Sequence, residues 1–301
     1  MIAADSKDNA IDVIELSKTP SIASLYARAV LPKPRHAGAS VPERAVRLRD
    51  VAPDPQRLHR YRELCGFAAE DRLPATYPHL VAFPLSMALM TARDFPLPLL
   101  GLVHLANRIE QSRPVAPDTR LDHLVRTTAP RPHAKGRVFD VVAEATTADG
   151  EQVWRSVSTY LHRGPGGDAP GPRPADEELT GAELDTSWTL PGGLGRAYGA
   201  VSGDRNPIHL HPLTARLFGF RRAIAHGMWT KARCLAAVEA RLPDAFTVGV
   251  DFRTPVLLPG TVRFRAARVA DHDWSFQLTD PSAERRHLLG RITASSTAHH
   301  P

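Results

Sequence analysis

Tyr198-Gly199-Ala200-Val201-Ser202-Gly203-Asp204-Arg205-Asn206-Pro207-Ile208-His209 is the stretch on which this chain turns, with Ala215 six residues beyond the histidine. It sets a carboxylate and an imidazole five residues apart around an Asn-Pro step. Pro207 fixes its own φ and biases Asn206 away from helix, so Ser202 to Ile208 is expected to be a stiff loop aiming Asp204 and His209 into one cavity. Farther on, Ala225-His226-Gly227-Met228 opens an expected helix that ends before Pro243. Glycine allows close approach to the backbone, and the first turn of a helix carries unpaired N–H groups at the positive end of its dipole. A proton-transfer pair beside a backbone anion site suits adding water to a polarised double bond, or removing it.

Outward from this stretch the chain repeats its plan. Thr254-Pro255-Val256-Leu257-Leu258-Pro259-Gly260-Thr261 echoes Arg113-Pro114-Val115-Ala116-Pro117-Asp118-Thr119. Each is a proline-bracketed turn between strands, with two further strands following: residues 137–146 and 152–162 in the first half, 274–279 and 287–295 in the second. Ala148-Asp149-Gly150 marks a hairpin. Earlier, a short helix is expected over 21–31, a strand over 46–51, a helix opened by Asp54-Pro55 and running to Cys65, a helix over 85–92, and strands over 102–111 and 119–127. Residues 1–20 read as a flexible arm and 164–180 as a Gly/Pro-rich linker, leaving domains at 21–163 and 181–301. The copies differ: Ala82-Phe83-Pro84-Leu85 takes the place of Ala225-His226-Gly227-Met228, and no Asp-x-Asn-Pro-x-His occurs before residue 170. The first copy is expected to lack the chemistry and to shape a tunnel.

Composition bounds the function. A 301-residue chain that is 43% apolar is a folded protein of one large or two smaller domains. No apolar run approaches the roughly 20 residues that span a bilayer, and Asp5, Lys7, Asp8 and Asp12 stand where a signal peptide needs an apolar core. Two cysteines, Cys65 and Cys234, argue against a disulfide framework and for buried thiols in a reducing cytoplasm. The net charge is +6, with only five lysines among 38 basic residues. Either codon bias explains the arginines, or an anionic substrate does, since the guanidinium fork grips two phosphate oxygens. Nothing resembles a nucleic-acid site: there is no RGG tract, zinc spacing or basic helix interleaved with aromatics.

The Asp204-to-His209 string followed by Ala225-His226-Gly227-Met228 resembles the signature of the MaoC-like dehydratases, the hydratase 2 family of (R)-specific enoyl-thioester hydratases. The resemblance covers the second half well and the first only in layout. It implies an α+β double hot-dog fold, two antiparallel sheets each wrapped around a central helix, separate or joined into one continuous sheet. It implies that Asp204 and His209 hold the water and shuttle its proton, that Asn206 orients them through its side-chain amide, and that the Gly227 backbone N–H is the oxyanion donor. Substrate contacts are expected from His226, at the edge of the site, from Met228, and from Arg221 and Arg222 on coenzyme A phosphates. The substrate would be an acyl-CoA or acyl carrier protein thioester, with no other cofactor and no metal, although His209-Leu210-His211 invites a zinc reading. A monomer or homodimer is expected. The serine that some members carry two turns beyond the glycine falls here near Cys234 and Leu235. Lys231 and Arg233 are expected on the helix's outer face. Two rivals share the fold: a hot-dog thioesterase and a non-catalytic acyl-thioester binding subunit.

Overall fold

In the computed structural model, which describes residues 12–29, 44–99, 101–164 and 179–295, the chain opens with strand β1 (Asp12–Leu16) and helix α1 (Ile22–Ala29). Next come β2 (Arg44–Val51), α2 (Pro55–Cys65), α3 (Pro78–Met90), β3 (Val103–Gln111), β4 (Leu121–Thr127), β5 (Arg131–His133), β6 (Gly136–Thr146) and β7 (Gln152–Arg163). The second half holds β8 (Leu184–Leu190), α4 (Leu194–Ser202), α5 (Pro207–Leu210), α6 (Pro212–Arg216), α7 (Gly227–Ala237), β9 (Phe246–Phe252), β10 (Gly260–Ala270), β11 (Asp273–Thr279) and β12 (Arg286–Ala294).

All the strands among the described residues share one sheet in the order β1-β2-β4-β6-β7-β3-β9-β12-β11-β10-β8, with β5 paired to β6. Read from each outer end toward the middle, β2-β4-β6-β7-β3 and β8-β10-β11-β12-β9 are the same five-stranded unit. The units meet at an antiparallel seam running from Ala106↔Asp251 to Gln111↔Phe246. This is the expected double hot dog, with the two sheets fused. The seam pairs the first strand after each central helix, so α3 and α7 lie inside a shared wall. Their residues belong to one core that includes Leu85, Leu89, Met228, Leu235, Trp154 and Trp274.

Local chemistry fixes the elements. Asp54 accepts a hydrogen bond from Arg57 N at 2.7 Å, Pro55 stands where no N–H is needed, and Gly66 closes α2 at φ 82°. Two expectations need correcting. Residues 12–16 of the presumed arm form β1, because they pair in parallel with Arg44–Leu48 of β2; residues 1–11 lie outside the described residues. Helix α3 begins at Pro78, not 85, and carries Pro84 inside it. The missing Pro84 N–H leaves Leu80 O free to accept from Arg57 Nη2 at 3.3 Å. The Gly/Pro linker falls mostly on residues 165–178, outside the described residues. No helix among the described residues is long and apolar enough to cross a membrane.

Candidate active site

Helix α4 ends at Gly203, whose φ of 85° turns the chain sharply and delivers Asp204. Asn206 then caps α5, accepting from Ile208 N at 3.4 Å, with Pro207 at the first helical position. The segment is therefore a glycine turn followed by one helical turn rather than a continuous loop to Ile208: proline, costly in a helix interior, is well placed to start one. Its result is as expected, since Asp204 and His209 line one cavity.

Three side chains converge there. The donor atoms of Asp204, His209 and His226 lie within 4.8 Å of one another. His209 Nδ1 lies 2.8 Å from Ile224 O, and His226 Nε2 lies 2.9 Å from Asp204 O. A carbonyl can only accept, so each of those nitrogens carries the hydrogen and the opposite ring nitrogen is a bare acceptor. The two rings stack at 3.7 Å between centroids. His226, expected at the edge, is 2% exposed and sits at the centre of the cluster. Burial lowers both imidazoles below their ordinary range, His226 to about 3, so both are neutral. Burial pushes Asp204 up, yet His226, His209, the Asn206 N–H and the Tyr26 hydroxyl together bring it below the usual carboxylate value.

Asn206 does act on Asp204, but through its backbone N–H, 3.1 Å from Oδ1, while its side-chain oxygen caps α5. Gly227 opens α7, as expected, with the His226 carbonyl accepting from Thr230 N at 3.1 Å. A Cβ at Gly227 would lie 3.0 Å from the Phe252 ring. Met228 lines the cavity. Arg221 and Arg222 are exposed and do not border it; the arginines that do are Arg163 and Arg253. His211 is also exposed, its Nδ1 accepting from Leu213 N to cap α6, so it does not join His209 in a metal site. Asp204, His209 and His226 are instead the group that could hold a divalent ion.

The cavity measures about 440 Å³ and draws its walls from both halves. Phe83, Met87 and Met90 of α3 supply apolar surface. Tyr26, His79, His104 and Tyr160 of the first half also reach it. Burial first, then the charge of Lys231, lowers His79 to about 4. His104 stacks on Tyr160 at 4.6 Å and is held near 3, chiefly by burial. These four residues escape the sequence because nothing near them in the chain carries a motif; His79 alone leaves a trace, in the Tyr-Pro-His that starts α3. Arg57 braces the site from α2, donating to Val201 O at 2.7 Å and Ser202 O at 3.1 Å at the end of α4.

Lys231 and Arg233 overturn their expected placement. A central helix wrapped by a sheet has no outer face. Lys231 is fully buried and donates to Asn107 O at 3.2 Å, Val248 O at 3.0 Å and Asn107 Oδ1, pinning α7 to the seam. Arg233 stacks 4.6 Å over Trp188. Cys65, Cys234 and Leu235 are buried, and burial raises both thiols.

A family model described as MaoC like domain matches residues 189–286. The 3-hydroxyacyl-thioester dehydratase X of Mycobacterium tuberculosis is 35% identical over 254 residues, 84% of this chain and 90% of that protein. The chain belongs to the MaoC-like dehydratase family. A crystal structure of HtdX from M. tuberculosis superposes with a TM-score of 0.73 at 34% identity, covering 84% of this chain and all (100%) of that one. The enoyl-CoA hydratase ChsH3 of M. tuberculosis is 28% identical over 176 residues, 57% of this chain and 58% of that protein. The family match falls on the half that carries the Asp204–His209 pair, and the longer alignments extend through the half that does not.

Proposed function

We propose that this enzyme adds water reversibly to trans-2-enoyl thioesters, giving (R)-3-hydroxyacyl thioesters, and that the reverse dehydration uses the same groups. One observation carries the reading: a carboxylate and an imidazole with a bare nitrogen face one cavity at the N-terminus of α7, between apolar walls. In hydration, water sits between Asp204 and His209 Nε2. One of the pair takes a proton as the water oxygen bonds to the β-carbon. That same proton, held on the pair, is then delivered to the α-carbon on the same face, so the site ends as it began. Charge that grows on the thioester oxygen meets the Gly227 N–H, one of the first-turn donors a helix leaves unpaired. The relatives' names, a thioester dehydratase and an enoyl-CoA hydratase, support the two directions of one reaction.

Either coenzyme A or acyl carrier protein can present the thioester, and Arg163 and Arg253 at the cavity are the candidate phosphate contacts, in place of Arg221 and Arg222. The chemistry is proposed to need no metal: proton transfer by the pair and the α7 terminus suffice. The test follows loss of the conjugated enoyl chromophore in trans-2-enoyl-CoA and acyl carrier protein substrates, before and after chelation. Hydration to the (R)-alcohol, unchanged by chelator, is expected. Thiol release with the double bond intact would favour a thioesterase; binding without turnover would favour a binding subunit; loss on chelation and return with one added metal would make the cluster a metal centre.

A further inference from the structure

Asp204 receives a hydrogen bond from a residue that stands 178 positions earlier, on the half without the catalytic motif. Tyr26 Oη donates to Asp204 Oδ1 at 2.9 Å. The Asn206 N–H reaches the same carboxylate oxygen at 3.1 Å. Both donors to the carboxylate therefore load Oδ1. The other oxygen, Oδ2, lies 3.8 Å from His226 Nε2, whose hydrogen is already committed to Asp204 O. Among the described residues no hydrogen bond reaches Oδ2. Helix α1 is seated for this contact: Leu25 is fully buried, and Ile22 lies where a Cβ on Gly203 would come within 3.4 Å. It packs against the very turn that delivers Asp204.

We propose that Tyr26 is a positioning residue of the active site, loading Oδ1 of Asp204 so that Oδ2 is the basic oxygen presented to the reacting water. The role rests on the hydratase reading above; the coupling of Tyr26 to Asp204 does not. A carboxylate rotating freely offers either oxygen, whereas one pinned through Oδ1 offers a single direction. Tyr26 remains a donor across the working range, because burial and the neighbouring Asp204 charge hold its phenol above the ordinary value. The titratable groups facing Asp204 are Tyr26 on α1, His79 on α3, His104 and Tyr160 on β3 and β7, Tyr198 on α4, and His209 and His226. At neutral pH the histidines are uncharged and the tyrosines protonated; on acidification Asp204 and its partner His209 both take up protons, and the acid limb belongs to the pair.

The test is Tyr26→Phe in the full chain, with the Asp204 side-chain carboxyl followed by carbon NMR and assigned by its absence in Asp204→Asn. The Asp204 titration should move up in Tyr26→Phe. The hydration kcat should fall about tenfold, the size of one lost hydrogen bond to a charged group, with KM little changed and the acid limb moved up alongside. Incorporating 3-fluorotyrosine at position 26, a stronger donor of the same shape, should move the titration down. An unmoved titration in both variants overturns the inference, whatever the activity. A moved titration with unchanged kcat and acid limb overturns the positioning role. A moved titration in a protein that hydrates no enoyl thioester supports the coupling and removes the hydratase reading instead.

Discussion

Helices α2 and α4 end alike and lead to opposite outcomes. Gly66 closes α2 at φ 82° and Gly203 closes α4 at φ 85°. The next residue is Phe67 in one half and Asp204 in the other. Phe67 is 8% exposed and stacks on Tyr61, so the first half has filled the place where the second opens a cavity. The central helices diverge in the same way. Helix α7 starts at a glycine whose N–H can meet a ligand, while α3 starts at Pro78, which has no N–H to offer. The backbone plan is duplicated, and the chemistry lives in a few side chains that each copy hangs on it. The first half is nonetheless not inert, since Tyr26, His79, His104 and Tyr160 project into its neighbour's site.

The largest expected effect would break that comparison if it failed. Asp204→Asn and His209→Ala should each lower the hydration rate by roughly 100- to 10,000-fold, while His79→Ala, the histidine of the unmotivated half, should cost less than about tenfold, well below that range. Comparable losses in steady-state kinetics would mean that both halves share the chemistry. Gly227→Ala comes next. Its new Cβ would meet Phe252 at 3.0 Å and shift the α7 terminus, lowering kcat by roughly 100-fold, as loss of an oxyanion donor does. Phe252→Leu in the same chain should restore part of it if the clash is the cause.

The seam that joins the halves offers a stability test. Lys231→Met strips three acceptors of their buried donor, on Asn107 and Val248. Urea unfolding should show a loss of roughly 1–3 kcal/mol, the cost of buried groups left unpaired, with both halves melting together. Unchanged stability would mean that the seam holds through its backbone ladder alone. Acid should act more gradually. His79 and His123 are held near 4, and His104 and His226 near 3, each by burial first. In the unfolded chain histidine titrates near 6.5. Between these values the unfolded state binds protons that the native state refuses, so stability falls as pH drops from about 6.5 toward 4, by up to roughly 1.4 kcal/mol per pH unit for each histidine. Three of the four belong to the first half, so replacing His79, His104 and His123 together by Phe should flatten the slope more than a single change at His226. A flat stability curve over that window would show that these imidazoles are not buried neutral.

Motif, duplication and most strands were legible in the chain because they rest on local rules. The alternation of β6 and β7, the Asp54-Pro55 helix start and the Asp204–His209 spacing each lie within a dozen residues, where φ restrictions and side-chain periodicity act directly. Strand β1 was not legible, because five residues acquire strand character only by pairing with β2. Lys231 was misplaced because a periodicity argument assumes one solvent face, and the fused sheet removed it. His226 moved from the edge to the centre because its role is set by the Asp204 carbonyl and the His209 ring, neither of which its neighbours in sequence reveal.

By itself, the sequence picked out the candidates for the chemistry, because acid–base capacity, a proline's φ and a glycine's freedom are properties of single residues and short spacings. The tertiary structure alone decided how they are aimed: that Asp204 takes a hydroxyl from Tyr26, that the cavity is walled by α3, and that the two sheets fuse through β3 and β9. Those contacts join residues more than a hundred positions apart, and no local preference encodes them. They exist because burying two central helices under one continuous sheet leaves no edge strand unpaired at the seam and removes the most apolar surface from water.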